Sequence, residues 1–267
     1  MLCCYFYPVM MVANQVIVQA RMGSTRLPGK IMLPLLEKPV LEHVIARSSA
    51  ALKVARVVVA TTDLPEDDGV ENWCRSYSVP CVRGSSEDVL ARYVNVLREF
   101  PCENIVRITA DCPLTDPGII DAMLCIHETM HNDYTSNVIP PTFPVGFDAE
   151  VIGSEVLRQV DQKAVLASHR EHVTLYIREN LEEFKTANLS LGESFEHFRL
   201  TLDHDEDYQV LQKIFSYFRD SDGLFSLYQI LGFIIKHPEI ASINSAIDRF
   251  EGAKKSAAME HRKLKWE

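Results

Sequence analysis

A β-branched run, Val16-Ile17-Val18, empties into the segment QARMGSTRLPGK, Gln19 to Lys30, and this junction constrains the chain more than any other stretch. The segment carries Gly23 and Gly29, the hydroxyls Ser24 and Thr25, and the cations Arg21, Arg26 and Lys30, with little bulk. A strand that ends in such a loop gathers backbone N–H groups and fixed positive charge around one spot, which is how a chain holds a polyphosphate. Two commoner loops are excluded by spacing. A P-loop has four residues between its glycines and then Lys-Ser/Thr. Here five residues separate Gly23 from Gly29, and Ile31 follows Lys30. The G-x-G-x-x-G dinucleotide fingerprint does not occur. What remains is a triphosphate loop or a plain basic surface loop. The position after the first buried-looking strand, with acids downstream, favours the triphosphate.

The rest of the chain repeats strand, loop, helix. Strands are expected over 15–20, 55–61, 80–83 and 104–109, and helices over 39–51, 66–77, 86–100 and 117–131. The third of these helices, 86–100, which follows a Gly-Ser-Ser turn, is expected to be capped by Ser85 or Ser86, with Asp88 in its first turn. The run ARVVVAT reads as a strand covered on both faces. Such alternation predicts an α/β fold with a doubly wound, mostly parallel sheet, whose ligands bind at the carboxyl ends of the strands. After about residue 132 the rhythm changes. Extended segments are expected at 133–138, 147–152, 185–191 and 197–202, and helices at 154–165, 169–180, 205–218 and 226–236. Residues 14–220 read as the main domain, with 132–195 as a smaller insertion and 221–267 as a helical extension ending in a basic tail. Residues 1–13 are apolar, lack a basic start and are too short to span a bilayer; Met10 and Met11 are alternative starts.

Charge narrows the partners. With 27 Lys and Arg against 37 Asp and Glu, the net charge is −10, which argues against a broad nucleic-acid footprint. No membrane insertion is expected. Seven cysteines form no C-x-x-C pair, so reduced thiols in a cytoplasmic protein are the simplest reading. Cys112 reads as a small buried residue rather than a nucleophile. His127 and His131 have a helical spacing that could bind metal, but without a third ligand a solvated helix face is the simpler reading.

Two acidic clusters complete the pattern. Asp111 closes a strand in Thr109-Ala110-Asp111-Cys112-Pro113, and Asp203 closes another in Arg199-Leu200-Thr201-Leu202-Asp203. Carboxylates beside a triphosphate are the usual protein ligands of magnesium. Either can also serve locally, Asp111 in a turn and Asp203 beside the acid-rich helix start Asp205-Glu206-Asp207. Arg83-Gly84-Ser85-Ser86 offers N–H groups and hydroxyls for a base edge, with Arg83 and Arg92 adding charge.

Together these segments resemble the sugar-activating cytidylyltransferases of the spore coat polysaccharide protein F type, relatives of the acylneuraminate and deoxyoctulosonate enzymes. The resemblance rests on QARMGSTRLPGK, VVVATTD (Val57–Asp63), RGSSEDVLARY (Arg83–Tyr93), RITADCPLTDP (Arg107–Pro117), SHREHVTLYIREN (Ser168–Asn180) and RLTLDHDEDY (Arg199–Tyr208). It implies the nucleotidyltransferase version of the doubly wound sheet, with a small acceptor-binding and dimerisation insertion. It implies transfer of CMP from CTP to an acidic sugar, with pyrophosphate released, for cell-surface glycan. By position, Arg21 and Lys30 would neutralise the β- and γ-phosphates, and Gly23, Ser24 and Arg26 would shape the loop. Asp111 and Asp203 would hold Mg2+. Ala20, Thr61, Arg83, Gly84, Ser85 and Ala110 would line the base pocket. Asp148, Glu150, Arg170, Glu171 and His172 are the acceptor-side candidates, the last three for an acidic sugar or for the partner subunit, and a homodimer is expected. In Pro144-Val145-Gly146, Val145 stands where the family usually has aspartate.

Three other readings stay open. One is a CDP-forming enzyme acting on a phosphorylated acceptor. Another is a glycosyltransferase using the D-x-D pair Asp203-His204-Asp205. The third is a silent nucleotide-binding subunit. No residue in the sequence by itself argues for cytosine over uracil.

Overall fold

The computed structural model describes residues 11–221 and 223–249, with 251 and 254; the expectations for residues 1–10 and for the basic tail fall outside these. Nine strands are described: β1 Val12–Gln19, β2 Pro34–Leu35, β3 Lys38–Pro39, β4 Arg56–Thr62, β5 Cys81–Gly84, β6 Cys102–Thr109, β7 Tyr134–Ser136, β8 Glu150–Gly153 and β9 Thr186–Asn188. The helices are α1 Val40–Ser49, α2 Asp68–Ser76, α3 Val89–Glu99, α4 Pro117–Met130, α5 Ser154–Lys163, α6 Ala167–Glu171, α7 Leu175–Glu179, α8 Asp205–Tyr217, α9 Leu227–Lys236 and α10 Pro238–Ala241. β2 and β3 make a two-stranded hairpin, and the other seven strands form one sheet in the order β5-β4-β1-β6-β8-β7-β9. Only β8 runs against the rest. The fold is thus α/β and doubly wound, with the winding direction reversing between β1 and β6.

The sheet separates two apolar layers. Val16, Val18, Val57, Val59, Val106 and Ile108 face α1, α2 and α4. Ile17, Val58, Ala60, Val82 and Ile105 face α3, α5 and α7. Alternate side chains of each strand enter opposite layers, so β1, β4 and β6 read as unbroken apolar runs. A third cluster lies beyond the strand ends, where α8 and α9 pack on Leu114, Phe143, Phe147, Leu200 and Leu202. Part of the expected C-terminal extension therefore belongs to the core. Arg47, 1% exposed, ties it down by donating to the carbonyls of Thr115 (2.7 Å), Gly223 (2.5 Å) and Phe225 (2.7 Å).

Several elements depart from the sequence reading. β1 begins at Val12, so the last two residues assigned to the apolar leader are strand, paired beside Cys102 on β6. α3 is capped by Asp88, whose carboxylate accepts from Ala91 N at 2.9 Å; Ser85 instead accepts from Glu87 and Asp88 in the preceding turn. The single helix expected over 169–180 is two short ones, broken where Val173 takes a φ of 50°. Val173 is fully buried in the second apolar layer, and that packing holds a β-branched residue in a backbone region it otherwise avoids. Residues 197–202 form no sheet strand. They run beside Val145 in one isolated parallel bridge, with Val145 N donating to Phe198 O (2.9 Å) and Leu200 N to Val145 O (2.7 Å).

That bridge needs Gly146. Its φ is 104°, and an added Cβ would stand 2.5 Å from Leu200 O and 2.7 Å from Thr201 N. The backbone atoms on the far side cannot give way as a side chain would. Gly146→Ala should therefore cost about 2–3 kcal/mol of stability. Urea unfolding of the variant checks this, and an unchanged midpoint would mean that the two segments are not locked together.

Candidate active site

β1 and β6 lie side by side in parallel register, from Val12 beside Cys102 to Gln19 beside Thr109. Their carboxyl ends therefore release the cationic loop and Asp111 at the same level. Asp203 reaches the same place by another route. The backbone carbonyl of Asp111 accepts from Leu202 N at 2.9 Å and from Thr201 Oγ1 at 3.2 Å. One residue later Asp203 turns into the cleft.

Lys30 lies between the two acids. Its ammonium donates to Asp111 Oδ2 at 2.6 Å and to Asp203 Oδ1 at 2.7 Å. Gly29, with a φ of 69°, supplies the left-handed turn that starts the short 3-10 segment Lys30–Met32. Burial alone would push the Lys30 ammonium down, but Asp111 and Asp203 outweigh it and hold it above its ordinary value. Burial would likewise push the Asp203 carboxyl up. Lys30, Arg26 and Arg199 overcome that and hold it well below the usual carboxylate range. Arg26 approaches Asp203 at 3.0 Å and Arg199 at 2.9 Å. Arg199 is itself fixed by the buried Asp207, which also accepts from the backbone N–H groups of Asp203 and His204.

The loop is braced from β4 and α2. Met22 N donates to Asp67 Oδ1 at 2.6 Å, and the other oxygen of Asp67 accepts from Thr62 Oγ1. A Cβ at Gly23 would meet only the far end of the exposed Glu66 side chain, which can swing aside. The resulting cleft has a volume of about 370 Å³, and Arg21, Gly23, Ser24, Arg26, Lys30, Ala110, Asp111, His172 and Asp203 line it as the sequence suggested. Thr25 of the loop and Glu171, the neighbour of His172 among the acceptor-side candidates, also line it, and so do Gln19, Val89, Arg107 and Thr109, which had not been singled out. Arg107 and Thr109 had a signal, being next but one to each other at the end of β6, just before Asp111. Glu171 and His172 enter through the break between α6 and α7, which periodicity could not show.

Other candidates stand elsewhere. Every nitrogen of the Arg83 guanidinium is engaged, by the carbonyls of Thr62 and Leu64 and by Asp68 and Glu71, all at 2.7–2.8 Å. Arg170 clamps Asp88 to Asp161, binding them at 2.7 and 2.8 Å. Glu150, 3% exposed, forms an ion pair with Arg107 at 2.6 Å and accepts from Tyr134. Asp148 pairs with Arg249 at 2.8 Å. None of these four, nor Ala20, Thr61, Gly84 or Ser85, is among the residues lining the cleft. Asp205 is exposed in the first turn of α8, so the D-x-D spacing does not bring two acids to one point. Cys112 is buried, and burial pushes its thiol well up. His127 is not on a solvated face: it is buried against Thr135 Oγ1 at 3.1 Å, and burial pushes it down to about 4.

Comparison with known proteins follows this geometry. The sequence profile of the cytidylyltransferase family matches residues 15–246. The chain belongs to the cytidylyltransferase family. It is 33% identical over 237 residues to the spore coat polysaccharide biosynthesis protein SpsF of Bacillus subtilis (strain 168), covering 86% of this chain and 97% of that protein. Its fold matches a cytidylyltransferase structure from Leptospira borgpetersenii with a TM-score of 0.82 and 34% identity, over 86% of this chain and 97% of that one. A more distant structure, CMP:2-keto-3-deoxy-manno-octonic acid synthetase complexed with CTP, matches at a TM-score of 0.57 and 16% identity, over 77% of this chain and 99% of that one. That last likeness shows the fold alone. The mostly parallel nucleotidyltransferase sheet and the membership of this enzyme family are thus established.

Asp203 also leaves a signature in acid. Its carboxyl ionises below the ordinary value of 3.8 in the folded chain, so its contribution to stability is complete above that value and is lost as pH falls towards the folded one. Asp203→Asn should be less stable than the parent at neutral pH and lose less stability on acidification to about pH 3. Urea midpoints for both proteins across that range check it; parallel curves would mean that the carboxylate is not held by these cations.

Proposed function

We propose that this chain is a Mg2+-dependent enzyme that transfers CMP from CTP to an acidic sugar and releases pyrophosphate, for cell-surface polysaccharide. The observation that carries the reading is the single ammonium of Lys30 held between Asp111 and Asp203 at 2.6 and 2.7 Å. Two carboxylates that share one cation at those distances are close enough to share one divalent ion. Magnesium takes one or two protein carboxylates and completes its shell with phosphate oxygens and water. Among the described residues no group of three such side chains could hold a metal without that help. A divalent ion bound there would polarise the α-phosphate and orient the acceptor oxygen.

The chain's own groups do the remainder. Arg21, Arg26 and Lys30 stand where a triphosphate would lie, with backbone N–H groups of the loop beside them. When the nucleotide enters, the Lys30 ammonium passes from the two acids to the β- and γ-phosphates, leaving the acids for the metal. The acceptor oxygen forms a bond to the α-phosphorus as the bond to the pyrophosphate oxygen breaks. Cations fixed around the leaving group neutralise the charge that develops on it, with no covalent intermediate required. His172 and Glu171 line the same cleft and are assigned to the acceptor. Support for an acidic sugar comes from the family and from the relatives named above.

The remaining choices follow. The exposed Asp205 counts against the D-x-D glycosyltransferase reading, and the completeness of Arg21, Lys30 and both acids counts against a silent subunit. Unbridged thiols at Cys74, Cys81, Cys102, Cys112 and Cys125 suit a cytoplasmic enzyme. Among the described residues no helix is long and apolar enough to cross a membrane. A homodimer through residues 132–195 belongs to the same reading; light scattering giving the 30.3 kDa of one chain would remove it.

Pyrophosphate release from CTP, with sugar acids and Mg2+ supplied, tests the reading. Lys30→Ala and Asp111→Asn should each lower turnover about 100-fold or more, the scale of losing one transition-state electrostatic partner. Unchanged turnover in either variant would remove that residue from the mechanism. Activity with a phosphorylated acceptor and none with sugar acids would replace the acceptor class.

A further inference from the structure

Past α10 the chain turns back towards the cleft. Asn244, 2% exposed, fixes the turn. Its Nδ2 donates to the Arg199 carbonyl at 2.9 Å and to Asp207 Oδ1 at 2.8 Å, so it is tied to the same buried pair that orients Asp203. Five residues on, Arg249 donates to the Phe143 carbonyl at 3.1 Å and to Asp148 at 2.8 Å. Two residues further, one oxygen of Glu251 lies 3.5 Å from Arg26 Nη1 and 3.1 Å from His204 Nε2. The family match stops at residue 246, so Arg249 and Glu251 stand outside it and still reach the site.

Arg26 is the point of contact that matters. It lines the cleft, and its guanidinium is spread between two acids, with Nη2 on Asp203 at 3.0 Å and Nη1 towards Glu251. Asp203 belongs to the cleft wall and has its own place beside Lys30. Glu251 does not line the cleft, and its side chain is 45% exposed. A carboxylate oxygen and a phosphate oxygen are acceptors for the same N–H donors of arginine. Two anions on one guanidinium also repel each other. The cleft lining carries one more cation than acids, and Glu251 at its edge cancels that excess. An arriving triphosphate therefore gains most if Glu251 leaves. An ion pair this exposed is weak enough to yield.

We propose that Glu251 is an autoinhibitory contact: carried by a strap anchored at Asn244 and Arg249, it holds Arg26 in the place of a phosphate oxygen and gives way when a triphosphate binds. The proposal rests on Arg26 being a triphosphate ligand, as read above. It goes beyond that reading by giving the chain a built-in competitor for its own substrate, one that sets how tightly the nucleotide is held.

Inorganic triphosphate with Mg2+ is the probe, because it needs neither base nor sugar. Its Kd is measured by calorimetry on the full chain and on Glu251→Gln, Arg26→Gln and the double variant. Glu251→Gln should bind it about 2- to 5-fold more tightly, the range for one exposed ion pair. Arg26→Gln should bind it less tightly, and adding Glu251→Gln to that background should change nothing, since the acid acts through Arg26. Hydrogen exchange gives a second readout. In the parent, triphosphate should slow exchange in the loop and speed it in the peptide that carries Arg249 and Glu251. Tightening of the same size with and without Arg26 would mark a general charge effect and overturn the proposal. Unchanged or weaker binding by Glu251→Gln overturns it as well. So does slower exchange at Arg249 and Glu251, which would make the segment a lid that closes on the ligand. A parent that binds neither triphosphate nor CTP would overturn the proposed function, and this inference with it.

Discussion

One ammonium shared by two acids organises the end of this sheet. Asp111 and Asp203 are 92 positions apart in the chain, and left alone they would repel each other. Lys30 neutralises that repulsion from a third segment. The backbone bonds from residues 201 and 202 to the Asp111 carbonyl keep the two acids at one level. Gly146 allows the strand-like segment before Asp203 to approach closely enough for this. The cleft is thus a consequence of three chain segments forced together by charge and by backbone pairing, and the rest of the domain serves to hold their ends.

The net charge conceals this arrangement. A chain carrying −10 overall places Arg21, Arg26, Lys30 and Arg107 around one 370 Å³ space. Its excess acids lie elsewhere, at helix starts such as Asp205-Glu206 and on exposed faces. Against those cations stand three acids in the same lining, Asp111, Glu171 and Asp203, so the cleft carries a slight positive excess. Desolvation strengthens it: Lys30 is 8% exposed, so its charge is screened little by water.

Much of this was legible in the sequence because it rests on short-range rules. Val16-Ile17-Val18 and Arg56–Ala60 announce strands buried on both faces, and Gly23, Gly29 and Lys30 announce the loop. The joining of Lys30 to Asp111 and Asp203 followed from strand ends and from the family's motifs. What the sequence withheld depends on packing between distant segments. Nothing in SHREHVTLYIREN shows that Val173 breaks the helix, since the cause is the apolar layer into which that residue is pressed. Nothing in Asp148 and Glu150 shows that they are claimed by Arg249 and Arg107. Side chains one strand apart look alike on paper and differ by which cation reaches them first.

The arginines make the same point from the other direction. Arg47, Arg83, Arg92, Arg107, Arg170 and Arg199 are all at least partly buried, and a motif would rank them by position alone. Their partners rank them differently. Arg47 and Arg170 spend their donors on carbonyls and carboxylates that tie helices together, and Arg199 spends its own on Asp203 and Asp207. Arg83 closes the β4–α2 turn. Arg107 satisfies Glu150 yet keeps an unpaired Nε on the cleft wall. Arg92 satisfies nothing. Because a buried donor without an acceptor is costly, native chains keep few of them. The division of labour among these side chains is written in their unmet hydrogen bonds, a quantity that only the folded chain possesses.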